Sequence, residues 1–154
     1  MRLLPQMCVP IFLAIATYAQ QAVHFCDLVR NPEEYNGKTV TVRATYRQGF
    51  EWRELYCLEC LDKGKAWLEL PDDYNLDTAS AKALKRVPKA GGIVNLTVQG
   101  VFVSGGHFGH ENGYHYKFVV VKVADVKVLL KGMKNPEEER IIEQRYACGG
   151  TNPK

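Results

Sequence analysis

The chain has little of what usually announces a chemistry. It holds no P-loop, no G-x-S-x-G elbow and no Rossmann glycine pattern, so nucleotide-dependent and serine-hydrolase readings have no motif to stand on. "VSGG" (Val103–Gly106) is not a nucleophile elbow. No low-complexity run and no repeat at a solenoid period occurs. Charge of one sign is scarce too, with 20 Lys and Arg against 17 Asp and Glu. A duplex-binding protein draws much of its affinity from neutralising phosphates, so this balance argues against duplex DNA as a partner. What remains is an ordinary globular composition, 46% apolar and 24% charged, and a length of 154 residues that fits one domain.

The first nineteen residues differ from the rest. A single Arg2 precedes the apolar core "VPIFLAIA" (Val9–Ala16), and Thr17-Tyr18-Ala19 places small residues at both cleavage-recognition positions. This pattern predicts a secretory signal over 1–19, cleaved after Ala19. The apolar run is far below the roughly 20 residues that span a bilayer, and Pro5 and Pro10 interrupt it, so no membrane span is expected after cleavage. The alternative is an uncleaved N-terminal anchor. Cys8 does not resemble a lipid-attachment site, because the apolar core follows it and Met7 before it is not small. Loss of Arg2 with the leader lowers the formal charge from +3 to +2. The expected location is secreted or periplasmic, in a bacterial cell envelope.

Four cysteines remain beyond the leader: Cys26, Cys57, Cys60 and Cys148. An even count in an exported chain predicts two disulfides, with three possible pairings. The pairing taken here is Cys57–Cys60 with Cys26–Cys148. On the chain-entropy model the first contributes about 2 kcal/mol and the second about 5 kcal/mol. Cys57-Leu58-Glu59-Cys60 follows an aromatic strand and precedes a Lys63-Gly64 turn. A thioredoxin-like redox pair needs a helix N-terminus instead, so a structural role is expected.

Along the chain, Phe25, Leu28 and Val29 have helical spacing, stopped by Pro32, and Asn36-Gly37 signals a turn. Lys38–Tyr46 alternates, with Val40, Val42, Ala44 and Tyr46 on one face. Phe50–Tyr56 also alternates, with Phe50, Trp52, Glu54 and Tyr56 on one side, and Lys65–Leu70 is a third strand. Asp77 caps an Ala-rich helix closed by Pro88. Two long segments follow, the strand Ile93–Ser104 and Tyr116–Leu130 as one strand or a pair, and Gly100 predicts a bulge or bend in the first. Asn135 as N-cap and Pro136 at N1 open a last helix, with Ile141, Ile142 and Tyr146 as its buried side. Three strands, a helix and two strands is the succession of an OB barrel. The predicted class is therefore mainly β with flanking helices: a five-stranded OB-like Greek-key barrel over 20–132, plus a C-terminal helix and tail over 133–154. A β-sandwich competes, but normally needs about seven strands.

The phrase "CDLVRNPEEYNGKTVTVRATY" resembles the start of secreted bacterial OB-fold-like domains, similar to the anticodon-binding-like OB superfamily. Pro32, Tyr35, Gly37, Lys38, Val40 and Val42 match its "P-x-x-Y-x-G-K-x-V-x-V" pattern. "WLEL" (Trp67–Leu70) and "GHFGHENGYHYKFVV" read like later parts of such proteins. The resemblance spans about Phe25 to Leu130 and implies a fold more than an activity.

The stretch "GHFGHENGYHY" (Gly106–Tyr116) holds three of the four histidines. Gly105, Gly106, Gly109 and Gly113 can supply positive φ at a hairpin tip, and Asn112-Gly113 is a strong turn pair. "HENGYH" is not a metalloprotease motif, since the second histidine falls at +5 instead of +4. Zinc is the alternative cofactor, held by Cys57, Cys60, His107 and His110, although 46 residues part the two pairs. No metal and no cofactor is the favoured expectation. OB folds flank their binding face with the loops after strands one and four. The candidate ligand-binding residues are therefore Phe50, Trp52, Arg53, His107, Phe108, His110, Tyr114 and His115. Core packing is the competing role for Trp52 and Trp67. No catalytic residue is expected. The reading is an exported, non-catalytic OB-like module for an unknown ligand or envelope protein, with an oligosaccharide or single-stranded nucleic acid possible by analogy of fold. The rivals are a small zinc protein or enzyme and a structural accessory domain in an envelope assembly.

Overall fold

A computed structural model describes residues 22–87, 91–132, 134–146 and 148. The expected leader, the helix stop at Pro88 and the tail beyond Cys148 lie outside these residues. The chain is mainly β, with short helices and one mixed sheet. In order, β1 (Val23–His24), α1 (Phe25–Arg30) and α2 (Pro32–Tyr35) lead into β2 (Thr39–Gln48), β3 (Arg53–Tyr56), β4 (Ala66–Glu69) and β5 (Asn75–Leu76). Then come α3 (Thr78–Leu84), β6 (Ile93–Phe108), β7 (Tyr114–Leu130) and α4 (Pro136–Arg145). Short 3-10 segments occupy Leu58–Lys63 and His110–Asn112.

The pairings return to their starting strand. β2 pairs antiparallel with β3, β3 with β4, and β4 runs parallel to β7 from Ala66↔Tyr116 to Glu69↔Val119. β7 pairs antiparallel with β6, and β6 with β2 over Thr39↔Val101 to Arg47↔Ile93. The sheet has seven strands where five were expected, because two-residue strands β1 and β5 add to β2 and β7.

The alternation read from the sequence governs β2: Val40, Val42, Ala44 and Tyr46 are all buried. They meet Leu55, Leu68, Val94, Val98, Phe102, Phe118 and Val120 in one core, closed by Phe25 and Leu28 of α1. Gly100 stands at one of the four places where the β6–β7 register slips, and a Cβ there would stand 2.1 Å from the Val119 carbonyl oxygen. Only glycine admits so close a backbone approach. Asp77 caps α3 by accepting from Ser80 N at 2.9 Å, and Asn135 caps α4 by accepting from Glu138 N at 2.8 Å. Asn95, in the sequon Asn95-Leu96-Thr97, is buried; its amide takes the Thr45 hydroxyl and gives to the Tyr146 carbonyl.

Four expectations are corrected. Pro32 does not merely end α1 but opens α2, at N1, where its missing N–H costs nothing. β3 begins at Arg53, leaving Phe50 95% exposed in the β2–β3 turn. The disulfides join Cys26 to Cys60 and Cys57 to Cys148, not Cys57 to Cys60 and Cys26 to Cys148. The 3-10 segment aims the two cysteines of the C-x-x-C at different parts of the chain, Cys60 at Cys26 in α1 and Cys57 at Cys148, three residues past the end of α4.

The fourth concerns α4, in which no residue is buried; Ile141 is 44% exposed. The surface beneath it is polar, so the acids spaced i, i+4 face inward instead. Arg47 Nη2 reaches Glu139 at 3.0 Å, Arg47 Nη1 reaches Glu143 at 3.5 Å, and the Tyr56 hydroxyl donates to Glu143. Lys127 Nζ lies 4.6 Å from the centre of the Tyr146 ring, and the Cys57–Cys148 bond completes the attachment.

Candidate functional site

Two turns, Glu54 of β3, the Gly64–Lys65 approach to β4 and the first residues of β7 make a cleft. The β2–β3 turn is closed by Gly49 N donating to Trp52 O at 2.9 Å. The Trp52 indole lies on Gly49, where a Cβ would come within 2.2 Å of its ring. The β6–β7 tip is seated in the same way on Trp67. Gly109, at φ +70°, would place a Cβ 2.3 Å from Trp67 Cε3. Trp67 then meets Tyr114 at 5.6 Å between ring centres. His110 Nε2 lies 3.3 Å from Glu51 Oε2, so a side chain from each turn bridges the two.

At the tip, positive φ falls partly where it was expected and partly not. Gly105 and Gly109 have it; Gly106 and Gly113 do not, and Glu111 and Asn112 adopt left-handed geometry. The 3-10 turn at His110–Asn112 carries that strain instead of a two-residue Asn-Gly hairpin.

The cleft has a volume of about 430 Å³ and is lined by Trp52, Glu54, Gly64, Lys65, His110, Gly113, Tyr114 and His115. Glu54, 5% exposed, is its buried charge. One carboxylate oxygen accepts from Lys65 Nζ at 2.7 Å and the other from the Tyr114 hydroxyl at 3.1 Å. Burial, and then the Glu54 charge and hydrogen bond, hold the Tyr114 phenol well above its usual pKa, so it stays a donor. Both Glu54 oxygens are thus engaged, and the carboxylate orders the wall of the cleft. Lys65, His110 and His115 bring polar groups to the cleft, and the aromatic rings supply flat apolar faces.

A second hollow of about 260 Å³ adjoins it, lined by Gln48, Gly49, Phe50, Glu51, Trp52, Arg53 and Trp67. Trp52 belongs to both. Of the residues singled out from the sequence, Trp52, His110, Tyr114 and His115 line the first hollow, and Phe50, Trp52 and Arg53 the second. His107 and Phe108 line neither. The His107 ring stands 5.5 Å from that of His115, and Lys117 Nζ lies 5.4 Å from the Phe108 ring centre. Glu54 was overlooked as a site residue, although alternation put it on the Trp52 side of its strand.

Cys57 and Cys60, offered as zinc ligands, are both spent in disulfides. The histidine beside the cysteines is His24, whose Nδ1 accepts from Cys26 N and caps α1. His24, Cys26, Cys57 and Glu59 bring their ligand atoms within 4.8 Å of one another, but a bonded disulfide sulfur is not the thiolate that zinc takes. Among the described residues, no helix is long and apolar enough to cross a membrane. Comparison with protein-family models and with curated proteins finds no match to this chain.

Proposed function

We propose that this chain is an exported, non-catalytic binding module of OB type, and that its ligand lies in the cleft between the β2–β3 turn and the β6–β7 tip. The observation that carries the reading is a coincidence of topology and surface. The circuit β2-β3-β4-β7-β6, with its one parallel pair β4–β7, supports a five-stranded barrel. In such barrels the face of the second and third strands, flanked by the loops after the first and fourth, takes oligosaccharides or single-stranded oligonucleotides. Here those strands are β3 and β4 and those loops are the two turns, and the 430 Å³ cleft is lined from both. Its volume suits a small ligand or one unit of an extended one. Two disulfides and the apolar leader support export into an oxidising compartment.

The test is amide chemical-shift mapping of the oxidised protein against a panel of oligosaccharides, single-stranded oligonucleotides and uncharged peptides. The expected result is saturable shifts confined to 49–54, 64–67 and 109–115. Saturable shifts centred elsewhere, or none with any class, overturn the reading.

A further inference from the structure

We infer that the two hollows that share Trp52 are consecutive subsites for an uncharged oligosaccharide chain of two or more rings. The inference rests on the binding-module reading and adds a ligand class and a direction. Trp52 lines both hollows, so its indole is the one side chain that a ligand filling both would touch from each. Each hollow offers at least one further aromatic ring: Tyr114 in the first, Phe50 and Trp67 in the second. Phe50, which lines the second hollow, stands 95% exposed, an apolar ring that the fold itself does not use. A row of flat apolar faces bordered by hydrogen-bonding groups suits a chain of rings with an apolar face and a polar rim.

Charge decides against the other extended ligand that such barrels take. A groove for single-stranded nucleic acid combines its stacking rings with cations that track the phosphates. Here Arg53 and Lys65 are balanced by Glu51 and Glu54, and Lys65 is already bound to Glu54 at 2.7 Å. The groove therefore has no excess charge of either sign to match a polyanion or a polycation. A neutral chain loses nothing by this balance.

The experiment measures, by titration calorimetry and tryptophan fluorescence, the affinity of the oxidised protein for N-acetylglucosamine and its two-, three- and four-ring oligomers, with oligothymidylates of one to six nucleotides in parallel. The expected result is affinity rising at least tenfold from one ring to three, insensitive to salt. Phe50→Ala should bring the three-ring to one-ring ratio down toward unity; Phe50 is solvated, so the variant folds. Equal affinity at every length, an unchanged ratio in Phe50→Ala, tighter salt-dependent binding of oligothymidylate, or no saccharide binding would each overturn the inference. Cleft-confined shifts with another ligand class would leave the binding-module reading standing while this inference fell.

Discussion

Replacing Cys57 and Cys148 together by serine should cost the protein several kcal/mol and loosen one helix more than the sheet. The bond closes a loop with a sequence separation of 91 residues. On the chain-entropy model this constraint on the unfolded chain is worth about 4.6 kcal/mol at 25 °C, against about 3.8 kcal/mol for Cys26–Cys60 with its separation of 34. A domain of this size has a total stability of about 5 to 15 kcal/mol, so the loss is a large share. With a urea slope of about 1.5 to 2 kcal/mol per molar, the midpoint should fall by about 2 to 3 M. The assay is equilibrium urea unfolding followed by circular dichroism, wild type against Cys57→Ser, Cys148→Ser, without reductant. Because no residue of α4 is buried, its amides should lose hydrogen-exchange protection first while those of β6 and β7 keep theirs. Peptide mapping under non-reducing conditions runs alongside. A Cys57–Cys60 peptide from the wild type, or a stability loss below about 1 kcal/mol, refutes the reasoning.

Gly109→Ala meets both a φ of +70° and a ring 2.3 Å from the new carbon, and should cost about 1 to 3 kcal/mol with an altered Trp67 emission; an unchanged melting temperature contradicts the packing. Arg47→Ala removes the pairs to Glu139 and Glu143, and should cost about 1 to 3 kcal/mol while speeding exchange across Pro136–Arg145; unaltered exchange there contradicts the polar docking of α4. Asp77→Ala should cost about 1 kcal/mol in thermal unfolding through the lost cap on α3, and no loss contradicts the capping role. Burial pushes the Tyr46 phenol up to about 12; burial with Glu143 raises Tyr56, and burial with Glu54 raises Tyr114. Because each folded pKa lies above the unfolded value near 10, the stability these phenols contribute is complete below about pH 10 and is lost as pH climbs through their folded values. Tyrosinate absorbance at rising pH should show a late-ionising group, and complete ionisation of every tyrosine near pH 10 in the folded protein contradicts the burial.

What could be read in advance was what depends on near neighbours in the chain. The buried face of β2, the caps Asp77 and Asn135 and the glycine at one of the β6 irregularities each follow from a few adjacent residues. What could not be read depends on what lies across the molecule. Ile141 and Ile142 have the spacing of a buried stripe, but the surface they would cover presents Arg47, Tyr56 and Asn95, so Glu139 and Glu143 turn toward it. The alternation expected over Phe50–Tyr56 gives way to a strand from Arg53 in which Glu54, Leu55 and Tyr56 are all buried, and Phe50 is exposed because the chain is already turning at Gly49. The candidate site divides in the same way. The two turns and their aromatics carry local signals, whereas Glu54 becomes a site residue only when Lys65 and Tyr114 arrive from other strands. The cysteine pairing was the hardest, since sequence spacing does not tell which of four thiols a 3-10 turn will point at which partner.

Cys57 falls between Cys26 and Cys60, and Cys60 between Cys57 and Cys148, so the two covalent rings overlap like links sharing a segment. A protease that cuts once anywhere from Cys26 to Cys148, including the exposed hairpin tip, leaves both pieces on one molecule. On a gel such a nicked chain runs as intact until a reductant is added.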